Sequence, residues 1–130
     1  MSDKKIRGRS LIERALKDKG IQHVFTLSGG FCNPALEGFM ECQMEVINCP
    51  HEQVAGHIAD GHTRITRKPA VCLVGPEGFA NAVPSMMEAR GERSPVIFIT
   101  GSKKKKRQGS GGSKEIYDVA IAAPLTKYSA

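Results

Sequence analysis

Four short apolar runs recur along the chain, each bounded by turn residues: HVFTL at 23–27, MEVIN at 44–48, AVCLV at 70–74 and PVIFIT at 95–100. All have strand length, and they are near-continuous apolar stretches rather than alternating ones, as in a sheet buried on both faces. The segments between them carry helical spacing. Strand and helix in turn leave few solutions, because parallel strands need long, right-handed crossovers whose helices cover the two faces of the sheet. The expected fold is α/β, in three layers (α/β/α) around a parallel sheet. The 130 residues suffice for one such domain, 1–130, and not for two.

Local signals place the elements. Ser10 followed by Glu13 has the form of a capping box, with Leu11, Ile12, Ala15 and Leu16 on one apolar face and Gly20 ending the helix. Asn33 is the expected N-cap of the next helix, with Pro34 in its first turn, and Pro50 is expected to open a third. GPEGFANAVPSMMEARG reads as a loop followed by a helix, KEIYDVAIAA (114–123) as a short helix and LTKYSA as an extended end. Residues 102–113, rich in Lys, Gly and Ser, read as a flexible surface loop.

The formal charge of +6 is local, since residues 103–107, KKKKR, contribute five of it and leave +1 for the rest. Such a tract is a solvated loop tip or a site for phosphates, and a nucleic-acid partner is not expected of it. No pair among Cys32, Cys42, Cys49 and Cys72 has the two-residue spacing of a zinc knuckle or redox motif, so they read as reduced, mostly core thiols. The start, MSDKKIRGRS, lacks the apolar run of a secretory signal, and no later stretch is long and apolar enough to span a bilayer. A cytoplasmic location away from membranes is expected.

Ligands of open parallel sheets gather at the carboxyl ends of the strands. The Gly-rich turns Gly29–Gly30 and Gly75–Gly78 both follow strands directly and belong to that edge. Each is either a tight turn that needs positive φ or the lining of a site. Neither fits the dinucleotide fingerprint or the phosphate loop. The stretch HEQVAGH is not a zinc motif, because His51 and His57 lie about 240° apart around a helix. Glu52 has two readings: a carboxylate favoured by the helix dipole, or one directed at a ligand beyond the strand ends. Behind it, Ala55, Gly56 and Ala59 offer a surface of small volume.

LIERALKDKGIQHVFTLSGG, HEQVAGHIADGHTRITRKPAVCLV, NAVPSMMEARGERSPVIFITGS and APLTKYSA, in this order, resemble the pyrimidine-binding (PYR) domain of thiamine-diphosphate-dependent enzymes of the acetolactate synthase large-subunit type. The resemblance implies a PYR-type fold that stops short of the family's last helix and strand. It implies that Glu52 hydrogen-bonds and activates the aminopyrimidine of thiamine diphosphate, that Gly29, Gly30, Gly78 and Asn81 help to bind that cofactor, and that Ala55, Gly56 and Ala59 pack where a second domain or the cofactor approaches. The diphosphate and its Mg2+ would be held by a partner chain or domain bearing a Gly-Asp-Gly motif, in a homo- or hetero-oligomer acting on a 2-oxo acid as carboligase or decarboxylase. Use of FAD is compatible with the resemblance and not readable from the residues. The chain departs from the family pattern at Glu77, at His62 and Thr63, at Arg67, and at Ser113 and Lys114. The rival expectation is a non-catalytic relative that binds partners through its Lys-rich loop.

Overall fold

A computed structural model describes residues 7–130. Its elements run α1 (Gly8–Asp18), β1 (His23–Thr26), α2 (Asn33–Glu41), β2 (Glu45–Asn48), α3 (Glu52–Thr66), β3 (Ala70–Val74), α4 (Pro76–Gly91), β4 (Val96–Thr100) and α5 (Asp118–Ala122). The four strands form one sheet in the order β2-β1-β3-β4, with every neighbouring pair parallel. Alternate strand residues serve opposite faces. Val24, Val71 and Leu73 pack with Leu36 and Phe39 of α2 and with Leu16 of α1. Phe25, Cys72 and Val74 pack with Ala55 and Ala59 of α3, Phe79 and Met86 of α4, and Ala122 of α5. The three expected layers are present.

The strand order has a consequence for the site. From β1 the chain crosses under α2 to β2 on one side, then returns over α3 to β3 on the other, so the sheet reverses direction between β1 and β3. The connections leaving those two strands diverge to opposite faces, which opens a crevice at their carboxyl ends.

Several local expectations are corrected. Helix α1 begins at Gly8 with Arg7 as its N-cap, so Ser10 lies inside it and caps nothing. Its inward residues are Arg9, Glu13, Leu16 and Lys17, which face α2; Leu11 and Ile12 are exposed. Glu13 is 3% exposed, and its carboxylate lies where a Cβ on Gly38 would stand. Gly20 does end α1: at φ 75° it lets its own N–H reach Lys17 O and that of Ile21 reach Leu16 O. Asn33 is the first residue of α2, and Cys32 takes the cap position. Pro50 lies ahead of α3, whose cap is His51, the Nδ1 of which accepts the Gln53 N–H at 3.2 Å.

No loop separates β3 from α4, because Gly75 is the cap and Pro76 the first helical residue. The last helix starts only at Asp118, since Lys114 holds a left-handed φ of 66° that a helix cannot include. Ala123–Leu125 form a 3-10 turn between that helix and the C-terminal residues, and the expected extended end begins at Thr126 rather than Leu125. The four thiols are free; Cys32, Cys49 and Cys72 are buried and Cys42 partly so. Among the described residues no helix is long and apolar enough to cross a membrane, and no cluster of three metal-ligating side chains occurs.

Candidate functional site

Parallel strands bring all four carboxyl ends to one edge, and four connections meet there: Ser28–Phe31 after β1, Cys49–His51 after β2, Gly75 after β3 and Gly101–Ser102 after β4. Hydrogen bonds tie three of them to the neighbouring strand ends. Asn48, the last residue of β2, accepts the Ser28 N–H at 3.0 Å, and the Cys49 N–H donates to Thr26 O at 2.6 Å. The Gly101 N–H donates to Val74 O at 3.0 Å. A Cβ on Gly101 would lie 2.7 Å from the Cβ of Phe31, so only glycine lets the end of β4 close against the turn after β1.

Glu52 projects from the first position of α3 into this edge, with its side chain 15% exposed. Its Oε2 accepts a hydrogen bond from Asn81 Nδ2 of α4 at 3.1 Å, and His51 Nε2 stands 3.9 Å away. Its Oε1 lies over Gly78 and accepts no hydrogen bond from any described residue. A Cβ on Gly78 would fall 2.5 Å from Glu52 Cγ and 2.7 Å from Cδ, so the absence of a side chain at 78 is what admits the carboxylate. Neither Lys nor Arg pairs with Glu52 among the described residues. The result is a carboxylate at a helix start, fixed by an amide on one oxygen and free to accept on the other.

The structure therefore brings Glu52, Gly78 and Asn81 into direct contact. Gly29 and Gly30 sit on the turn after β1, exposed, with room around each for a Cβ. The tight-turn reading of the glycines is corrected: Gly29, Gly30, Gly75 and Gly78 all lack positive φ, and Gly78 belongs to a helix. Burial pushes the Cys32 thiol up, and the charge of Glu52 pushes it further. Burial likewise raises Cys49, and Cys72 is pushed up to about 12, first by burial and then by Cys49, Cys32 and Glu52. These three thiols stay protonated fillers of the core at neutral pH.

The small residues on α3 have an internal explanation, which corrects the expectation that another domain or a cofactor lies on them. A Cβ on Gly56 would meet the Ser85 side chain of α4, 2.6 Å from its Cβ, and Ala55 and Ala59 face the sheet core. Sequence reasoning missed Asn48 and Ser85. Asn48 had a signal, a polar side chain closing an apolar strand. Ser85 had none, because its role exists only across the α3–α4 contact. A groove of about 1610 Å³ along the outer edge of β4 and α5 does not include Glu52.

Residues 6–121 match the family model described as thiamine pyrophosphate enzyme, N-terminal TPP binding domain. The chain is 36% identical over 121 residues to a probable acetolactate synthase of Mycobacterium bovis, covering 92% of this chain and 22% of that protein. It is 34% identical over 129 residues to the acetolactate synthase isozyme 1 large subunit of Escherichia coli, covering 97% and 23% respectively. A probable acetolactate synthase large subunit of Methanocaldococcus jannaschii is 32% identical over 126 residues, covering 95% and 21%. The chain thus spans between a fifth and a quarter of the length of these relatives. It belongs to the family of N-terminal TPP-binding domains of thiamine pyrophosphate enzymes.

Proposed function

We propose that this domain supplies Glu52 to the aminopyrimidine ring of thiamine diphosphate in an acetolactate synthase-like carboligase or decarboxylase of 2-oxo acids. One observation carries the reading: Asn81 holds Oε2 at 3.1 Å while Oε1 keeps its acceptor capacity at the sheet edge. When bound, thiamine diphosphate supplies the nucleophilic carbon for chemistry at a 2-oxo carbonyl. The chain's own part is to place an acceptor against a ring N–H and hold it still. Asn81 fixes the torsions of Glu52, and His51 caps the helix that carries it. The Gly29–Gly30 turn leaves its side of the edge free of side chains, as a flat ring needs. A charge-assisted hydrogen bond made there, out of water, is about twice as strong as a neutral one.

The described residues hold a carboxylate and amide for the ring and no acidic cluster for a metal. The diphosphate and Mg2+ would therefore sit on another domain or chain, and the working unit would be an oligomer that joins the two. The deciding experiment is Glu52→Gln in the assembled enzyme, which keeps size and a hydrogen-bonding oxygen but removes the charge. Turnover should fall by about 10²–10⁴-fold, the range of a lost acid/base function. Parental turnover in that variant would end the proposal.

A further inference from the structure

The tract Lys103–Arg107 behaves as two parts. Lys103 is inward and serves the fold: its Nζ reaches Glu115 Oε2 at 4.0 Å. Glu115 also accepts the Gly109 N–H, and its pKa is lowered chiefly by that backbone donor, with Lys103, Gly112 and Gly111 assisting. Gln108 Nε2 donates to Ser102 Oγ at 3.2 Å. The two limbs of the loop are thus pinned around one carboxylate. The residues between them form a single 3-10 turn, Lys105–Arg107, preceded by Lys104.

Lys104, Lys105, Lys106 and Arg107 are exposed, and none has a carboxylate within ion-pairing distance among the described residues. Arg9, Arg64 and Lys114 are paired, and no other unpaired cations of the described residues stand four in a row. Four adjacent cations repel one another, and a multiply charged anion is what relieves them.

The position of the turn selects the anion. Its loop leaves β4 at Gly101, which packs on Phe31 of the turn after β1, and ends at Lys114, whose Nζ pairs with Glu77 Oε2 at 3.2 Å. Glu77 adjoins Gly78, the residue under Glu52. Both ends of the loop that carries the basic turn are therefore anchored at the strand-end edge that holds Glu52, whose own side-chain neighbours are Asn81 and His51. Four charges within one turn suit a compact dianion or trianion. A nucleic-acid duplex needs a longer basic track, and the other 125 residues sum to only +1.

We propose that Lys104–Arg107 is an electrostatic capture site for the diphosphate arm of the ligand whose ring engages Glu52, acting on this chain before a partner domain closes over the phosphates. The inference rests on the Glu52 reading for the identity of the ligand, and on the anchoring of the loop for the site. The test is calorimetric titration of the full protein with thiamine, inorganic diphosphate and thiamine diphosphate at low and high salt. The variants are K104Q/K105Q/K106Q/R107Q, its charge-retaining counterpart with arginine at 104–106, and Glu52→Gln.

Inorganic diphosphate should bind the parent and the arginine variant alike, and bind the neutralised variant at least about tenfold more weakly and with little salt dependence. Thiamine should bind the parent and neutralised proteins equally and lose affinity only in Glu52→Gln. Diphosphate binding by a parent that ignores thiamine would uphold the turn and discard the Glu52 reading. Equal affinity of inorganic diphosphate for parent and neutralised protein would overturn the proposal. So would displacement of diphosphate by a single-stranded oligonucleotide that binds more tightly, which would mark a nucleic-acid surface instead.

Discussion

Gly78→Ala separates the site from the fold more cleanly than any substitution of Glu52 itself. The added methyl would stand 2.5 Å from Glu52 Cγ and 2.7 Å from Cδ, on the order of 1 Å inside normal carbon contact. Everything it strikes belongs to the far end of one side chain, so the backbones of α3 and α4 need not move. Position 78 is the third residue of α4, where alanine gains up to about 1 kcal/mol over glycine in helix propensity. Displacing Glu52 loses its bond from Asn81, about 1.5–3 kcal/mol because the acceptor is charged. Helix propensity offsets only part of that, so stability should fall by about 0.5–2 kcal/mol. Ligand binding has no such offset. A lost hydrogen bond to a charged group costs about 1.5–3 kcal/mol, or roughly 10- to 150-fold in affinity. Calorimetry with thiamine diphosphate on the assembled enzyme, beside a thermal melt, gives both quantities. Unchanged affinity at unchanged stability would refute the placement of Glu52, and a variant that fails to fold would refute the claim that only its side chain gives way.

Gly56→Ala strikes the buried Ser85, whose Oγ already donates to Ala82 O at 2.6 Å, so no free rotation relieves the overlap. Denaturant unfolding should show a loss of about 1–3 kcal/mol, the usual cost of overpacking. Arg67, the C-cap of α3, holds a left-handed φ of 59°. Arg67→Gly should raise the urea midpoint by about 0.5–1 kcal/mol in stability, the relief of a strained φ less the added freedom of the unfolded chain. His62 lies with its ring 4.3 Å from that of His23, and its pKa is lowered, by burial first and by the charge of His23 second. The folded state therefore prefers neutral His62. The stability it contributes is present above the unfolded value, about 6.5, and is lost as pH falls through the lowered folded value. Urea midpoints between about pH 8 and pH 5 should decline on the acid side, and less steeply in His62→Gln.

How much of this was legible depended on whether the signal was local. The strands could be read because AVCLV and its counterparts are apolar at every step, and β3 spans the whole of AVCLV, Ala70–Val74. The edge position of Glu52 followed from strand–helix alternation alone. Caps failed for different reasons: at α3 a local bond from the Gln53 N–H made His51 the cap after Pro50, and in α1 Glu13 turned inward onto Gly38 instead of closing a box with Ser10. The glycines misled in a consistent direction. Gly38, Gly56, Gly78 and Gly101 all sit where a Cβ would strike another element, and none has a positive φ. A sequence shows that a side chain is missing without showing what occupies the space.

That space has a register. Helices α3 and α4 both return antiparallel to the sheet, so they run side by side in the same direction, and their contacts recur one turn at a time. Glu52 precedes Gly56 by four residues, as Asn81 precedes Ser85, so both pairs lie on the same helix faces. The closest approach, Gly56 on Ser85, thus delivers Asn81 to Glu52 one turn nearer the sheet edge. One to two turns the other way Asp60 orients Arg64, which reaches Glu88 at 3.1 Å and Glu92 at 3.6 Å and holds the far end of the seam. A wedge at any level of this seam is felt at the others, because neither helix can tilt without sliding the carboxylate along its partner. The glutamate at the strand ends is therefore positioned by Gly56 and Ser85, one turn away along the seam, and its angle is set by how closely two helices approach.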